Sequence, residues 1–223
     1  MRFPTSTVDK KILMALTGQF MIFYVVAHVL GNYTLFAGVI NAYAEGLRHW
    51  PYIIILWSSR TILFISVILH TYYAIILGLE NRKAKPDAYA VTLYRSASFA
   101  GRTMLWSGVV IALFLTYHLL HFTLQVIDPS LAAMSHLDNL GRPDVLTMVL
   151  KSFHKEGIAA LYAIGVFSLG LHLFHGIESS IQTEGLNNDR TLPVVMKTGM
   201  LAAVMLFLAY ATIPISILMG VFK

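Results

Sequence analysis

Nine histidines occur in the chain, and six of them lie inside long apolar blocks: His28, His70, His118, His121, His172 and His175. An ionisable side chain inside a membrane is costly and is normally there to bind, to pair or to carry protons. The remaining three, His49, His136 and His154, fall in connecting segments. Counted along the helix rise from the N-terminal side of the membrane, His28 lies roughly 24 Å and His118 roughly 22 Å into their blocks. From the same side, His70 lies roughly 15 Å and His172 roughly 16 Å into theirs. The four form two layers, and each layer draws on two different blocks. Two imidazoles at one depth on facing helices are what bis-histidine ligation of a haem iron requires. With both axial positions filled, the iron transfers electrons and does not bind oxygen, and its potential follows from ligands, neighbouring hydrogen bonds and burial. Two such sites stacked in one bundle would make an electron wire across a membrane.

His121 follows His118 by one turn, and His175 follows His172 by one turn. Each is an alternative ligand, or a donor to a propionate or a quinone. Depth favours His118, because His121 would sit about 4–5 Å further out; it does not separate His172 from His175. The competing uses of such histidines are helix packing and a proton or solute path. Paths of that kind usually rely on intramembrane carboxylates, and only Glu80 and Glu178 come close, both near the N-terminal side.

The elements that must hold these groups are clear from composition. The chain has 223 residues, 57% hydrophobic and 12% charged, against about 25% charged in soluble domains. Disorder, a nucleic-acid module and an ordinary cytosolic enzyme are excluded on that basis. Cysteine is absent, which removes disulfides, thiolate zinc sites, iron–sulfur ligation and covalent c-type haem attachment. Five blocks reach the roughly 20 residues a bilayer needs: Ile12–Phe36, Ile53–Leu79, Met104–Val126, Ile158–Ile177 and Val194–Phe222. A spanning segment must satisfy its own backbone, so each is expected as a helix, with a kink at Pro214. The first block is too long for a signal core and lacks a small-x-small cleavage site after it. The expectation is an all-α membrane protein: one domain over residues 1–223, a bundle of five transmembrane helices enclosing two stacked b haems. No internal repeat is evident. Val145–Phe153, in the longest connection, reads as a short interfacial helix.

Lys and Arg set the orientation. Arg2, Lys10, Lys11, Arg82, Lys83, Lys85, Arg95, Arg102, Arg190 and Lys197 fall on the N-terminal side; Arg48, Arg60, Arg142, Lys151, Lys155 and Lys223 fall on the other. The N-terminus is therefore expected inside. Quinone chemistry needs a haem nearby, an apolar cleft and a protonatable group in reach of water. If the outer haem serves a quinone, Glu45, Arg48, His49 and His121 lie at the right end, with Glu45 the first choice for proton transfer. Arg102 and Gln182, near the inner ends, are candidate contacts to propionates of the inner haem. Ser107, Gly108, Gly165 and Gly170 are small residues that admit a porphyrin or a neighbouring helix.

The chain resembles the single-subunit dihaem cytochrome b anchor of bacterial succinate dehydrogenases and fumarate reductases. The resemblance runs through His28-Val29-Leu30-Gly31-Asn32 and Asn41-Ala42-Tyr43-Ala44. It continues through Leu79-Glu80-Asn81-Arg82, Ala84-Lys85-Pro86, Ala88-Tyr89-Ala90 and Arg102-Thr103-Met104-Leu105-Trp106-Ser107-Gly108. It ends on Leu171-His172-Leu173-Phe174-His175-Gly176, Ser179, Gln182-Thr183 and Gly185-Leu186-Asn187. It implies His28 and His118 as iron ligands of the distal haem b, and His70 and His172 as those of the proximal one, favouring His172 over His175. It also implies a flavoprotein that interconverts succinate and fumarate, an iron–sulfur subunit docked on the inner face beside Arg82, Lys83, Lys85 and Arg95, and a quinone, menaquinone by type. A prokaryotic cytoplasmic membrane is implied as well, since the mitochondrial anchor is split over two chains. Some fumarate-reducing relatives carry a proton-conducting glutamate two residues before the span-four ligand; Gly170 stands there instead. The rival readings are the cytochrome b subunit of a membrane hydrogenase or formate dehydrogenase, and a haem-free anchor or transporter.

Overall fold

Ser6 starts the first helix: its hydroxyl accepts the N–H of Asp9 at 3.1 Å, a standard N-cap. In the computed structural model, which describes residues 6–84 and 99–222, α1 therefore spans Thr7–Tyr33 and begins before the apolar block does. It is followed by α2 (Ile40–Gly46), α3 (Tyr52–Ala84), α4 (Phe99–Arg102) and α5 (Met104–His118). A π-helical turn, Leu119–Thr123, extends α5, and α6 (Val145–Phe153), α7 (Glu156–Thr183) and α8 (Leu192–Leu218) complete the chain. Arg2, Lys85, Pro86, Ala88, Tyr89, Ala90, Arg95 and Lys223 of the sequence reading lie outside the described residues.

Five helices are long and apolar enough to cross a membrane: α1, α3, α5 with its π turn, α7 and α8. Among the described residues there is no strand, only an isolated bridge between Leu137 and Pro143. Polar ends lengthen α1, α3 and α7 beyond their apolar blocks. The last turn of α3 carries Arg82 and Lys83, where cations suit the helix dipole, and an ion pair from Lys10 to Glu80 ties it to the start of α1. The π turn stops short of Val126 because Gln125 turns into the left-handed region at φ 56°. The last helix continues through Pro214, which is buried. The face carrying the N-terminus is called inner below, and the face carrying α2 and α6 outer, as labels.

Helix packing defines the interior. Along its length α1 packs on both α3 and α7; α7 packs in addition on α5 and α8. The order around the bundle is α3–α1–α7–α5, with α8 outside α7. The pairs α1/α5 and α3/α7 make at most marginal backbone contact, so they face each other along the two diagonals. The outward faces of α3 (Ile54, Trp57, Phe64, Ile68) and α8 (Val204, Met205, Leu208) stay exposed, as apolar side chains facing hydrocarbon do.

A polar clamp closes the outer end. Asn41 of α2 is buried. Its amide nitrogen donates to Asp144 at 3.1 Å and to Asp138 at 3.3 Å, and its oxygen accepts the N–H of Leu146 at 2.9 Å. Asp144 in turn caps α6 by accepting the N–H of Thr147 at 3.1 Å. Burial works against its charged form, but those donors outweigh it and hold the carboxyl below its usual value. Asp138 is held well below the carboxylate range by the guanidinium and N–H of Arg142 and the N–H of Leu140.

Candidate functional site

The four depth-matched histidines meet in two pairs. His28 of α1 faces His118 of α5 with ring centres 5.9 Å apart and planes at 83°. His70 of α3 faces His172 of α7 at 6.2 Å and 63°. Each pair lies on one diagonal, between helices whose backbones do not pack. Two imidazole nitrogens bound to one metal from opposite sides, at about 2 Å each, place the ring centres about 6 Å apart. A bare edge-to-face contact falls in the same range, so the hydrogen bonds carry more information than the distance.

At the inner pair both Nδ1 atoms are held. His70 Nδ1 donates to the carbonyl of Met14 at 3.0 Å, and His172 Nδ1 meets the Ser107 hydroxyl at 3.2 Å. Holding Nδ1 fixes the tautomer and turns Nε2 towards the partner ring, the support that metal-ligating histidines receive. Glycines make room for it. A Cβ on Gly18 would lie 3.2 Å from His70 Cε1, and one on Gly108 would lie 3.6 Å from His172 Cε1.

These two cradles are copies of one another, which corrects the expectation of no internal repeat. Met14-Ala15-Leu16-Thr17-Gly18 on α1 matches Met104-Leu105-Trp106-Ser107-Gly108 on α5, and in each the outer-pair histidine, His28 or His118, follows the methionine at the same distance. The other two helices match likewise, Ile62…Ser66…Leu69-His70 against Ile164…Ser168…Leu171-His172, with Ser66 and Ser168 both buried. The half α1–α3 thus corresponds to the half α5–α7. The repeat escaped notice because the matched residues are few and the spacers differ in length between the halves.

The outer pair is supported differently. The Tyr162 hydroxyl lies 3.3 Å from His118 Nδ1 and 3.0 Å from His121 Nδ1. If His118 donates to the phenol oxygen, the phenol donates onward to His121. Sequence reasoning missed Tyr162. The signal for it was its place on α7, close to three turns before His172 and facing the other layer. His121 is buried and stacked on Phe122 at 4.1 Å, so it buttresses His118 and does not face His28. His28 has no ring hydrogen bond among the described residues and lies flat against Tyr24, with ring centres 5.7 Å apart.

The other candidates are placed as follows. Glu45 and His49 pair with each other at 2.7 Å on the outer surface, while Arg48 lines a separate outer cavity. His175 is half-buried, and its Nδ1 has no partner among the described residues. Gln182 is exposed and donates to Glu178 at 2.8 Å. Arg102 ends α4 with its guanidinium 6.0 Å from the Phe99 ring centre. Gly165 sits against the Phe114 ring, which leaves no space for a Cβ, and Phe114 packs on His118 at 6.0 Å. A Cβ at Gly170 would lie 3.4 Å from Phe207 of α8, so a carboxylate there would point at α8, away from both histidine pairs.

Among the described residues no group of three or more His, Cys, Asp and Glu side chains could hold a bare metal ion. Two protein donors per metal fit an iron whose four equatorial ligands come from a porphyrin. The donor set, the diagonal gaps and the glycine clearances all suit that group. No protein family, curated protein or solved structure matches the chain.

Proposed function

We propose that this multi-pass membrane protein is a dihaem cytochrome b, the anchor of a succinate:quinone oxidoreductase in a prokaryotic cytoplasmic membrane. On this reading it carries electrons between an inner-side iron–sulfur subunit and membrane quinone. The observation that carries the dihaem assignment is the pairing of four intramembrane histidines across two diagonals, three of them with Nδ1 held by a neighbour. The choice of complex rests on the resemblance through His28-Val29-Leu30-Gly31-Asn32, Leu79-Glu80-Asn81-Arg82 and the span-four run. Bis-imidazole iron supplies reversible one-electron transfer when bound.

The protein's own residues do the rest. Met14 O, Ser107 and Tyr162 keep the ligand Nδ1 atoms occupied, so Nε2 stays the coordinating atom. The apolar faces of the helices exclude water from the ligand layers. Dicarboxylate chemistry belongs to the flavoprotein partner, and a basic inner surface at Arg82 and Lys83 suits docking of the iron–sulfur subunit. Purification from the native membrane tests this choice: a flavoprotein and an iron–sulfur subunit with succinate dehydrogenase activity are expected, and a hydrogenase or formate dehydrogenase partner would replace the assignment.

Haem b per chain, from pyridine haemochrome absorbance, is the direct test. A value near two is expected; one would leave a histidine pair without a cofactor, and zero would remove the proposal. For the quinone, Glu45 is the proton-transfer group at the outer surface, hydrogen-bonded to His49. Glu45→Gln is expected to lower quinone turnover by about tenfold or more, the low end for loss of general acid–base help or below it, with both haems retained. Unchanged turnover removes Glu45 from the mechanism.

A further inference from the structure

A cavity of about 690 Å³ opens at the outer end between α3, the end of the π turn and the segment 129–135. Its walls mix apolar side chains, Trp57 and Leu124 among them, with polar ones, and two arginines, Arg48 and Arg60, line it with no carboxylate. Arg48 Nη1 is buried without a hydrogen-bond partner, and neither arginine forms an ion pair, among the described residues. Arg60 lies two turns inside α3, its guanidinium 5.3 Å from the Trp57 ring centre. Two cations lining one cavity with no carboxylate between them repel each other and favour an anion there.

The repeat says which site they serve. Arg60 stands ten residues before His70, as Tyr162 stands ten before His172, a rise of about 15 Å. Tyr162 reaches the outer pair from α7. By the same register Arg60 stands at the depth of the outer pair on α3, the helix packed on α1, whose Tyr24 ring lies on His28. A guanidinium has donors only, so it cannot accept from His28 as a phenol does from His118. What it offers is charge and a planar fork matched to carboxylate.

We propose that Arg48 and Arg60 are the clamp for the two propionate carboxylates of the haem held between His28 and His118; this rests on the dihaem reading above. A porphyrin of the b type carries two carboxylates, and the cavity offers two cations without an ion pair among the described residues. A quinone is neutral and leaves both charges uncompensated. A lipid phosphate is the other anion a membrane supplies, and the test separates the sources.

The experiment is a redox titration of the b haems in the purified complex for Arg60→Gln, Arg48→Gln and Arg60→Lys, with haem content and bound lipid measured alongside. The component that survives in His172→Ala marks the outer haem. Each Gln variant is expected to keep two haems and to move that component alone to a lower potential, because a nearby positive charge favours the reduced form. Arg60→Lys restores the charge and should return the potential most of the way. An unmoved outer component in both Gln variants overturns the clamp, as does a shift confined to the inner one. Unmoved potentials with loss of bound anionic lipid assign the cavity to lipid instead, and unmoved potentials with a raised KM for quinone assign it to substrate. Wild-type complex without haem would overturn the dihaem reading itself, an outcome the titration cannot be confused with.

Discussion

His70→Ala and His172→Ala are each expected to take haem from two per chain to one and to remove the same spectroscopic component. His28→Ala and His118→Ala should remove the other. The grouping follows from the diagonals: each ligand faces one partner at 5.9 or 6.2 Å, and an iron left with one protein ligand loses the symmetric hold of the site. Quinone turnover should fall by about 100-fold or more in all four, since an electron can no longer cross both layers; at 1.4 kcal/mol per factor of ten this is about 3 kcal/mol of lost coupling. The comparison with His121→Ala and His175→Ala is the sharper part. Neither faces a histidine of the opposite diagonal in a ring pair, so both variants should keep two haems. If His121→Ala lost the outer haem while His118→Ala kept it, the ligand assignment would pass to His121.

Asn41→Leu carries the second large effect, and it is on stability. Leucine removes the acceptor for the Leu146 N–H and the donor for Asp138 and Asp144. An orphaned buried N–H costs about 1–3 kcal/mol, and α2 loses its hold on the start of α6. A lower Tm is expected, with faster proteolysis within 128–145, while haem content per folded chain stays at two. Acid should mimic the change in wild type. Both carboxyls sit below their unfolded value in the folded protein. Their contribution is fully present above the ordinary carboxylate range near about 4 and is lost as pH falls below it. The Tm difference between wild type and Asn41→Leu should therefore narrow on acidification in that window and stay constant through neutral pH. A difference independent of pH would mean that the carboxylates do not share in the clamp.

How much of this was legible in the sequence follows the physics of each feature. Five apolar blocks translate into five helices because backbone in hydrocarbon has no other way to be satisfied. Helix rise then pairs His28 with His118 and His70 with His172, since depth is linear in residue number. What depth cannot give is azimuth. The diagonals, the Gly18 and Gly108 clearances and the Tyr162 hydroxyl depend on rotation of each helix about its axis, which its neighbours decide. Arg60 illustrates the same limit: the block Ile53–Leu79 contains it and the charge count gives its side of the membrane, but that its guanidinium lies over the Trp57 ring and beside Arg48 depends on azimuth. The repeat was written in the sequence, but a handful of residues in each half becomes persuasive only once His70 and His172 are seen resting on Met14-Thr17-Gly18 and Met104-Ser107-Gly108.

The two diagonals also impose an order on biogenesis. Each histidine pair takes one member from the half α1–α3 and one from the half α5–α7, so the half made first can close neither site. His118 reaches the membrane before α7, and the outer pair is then complete in name; its support, Tyr162, still lies in nascent chain. Insertion of α7 delivers Tyr162 and His172 together, securing one layer and completing the other in a single event. On the dihaem reading, loading would wait for α7, and a chain stalled before it would have no site with all of its supports in place.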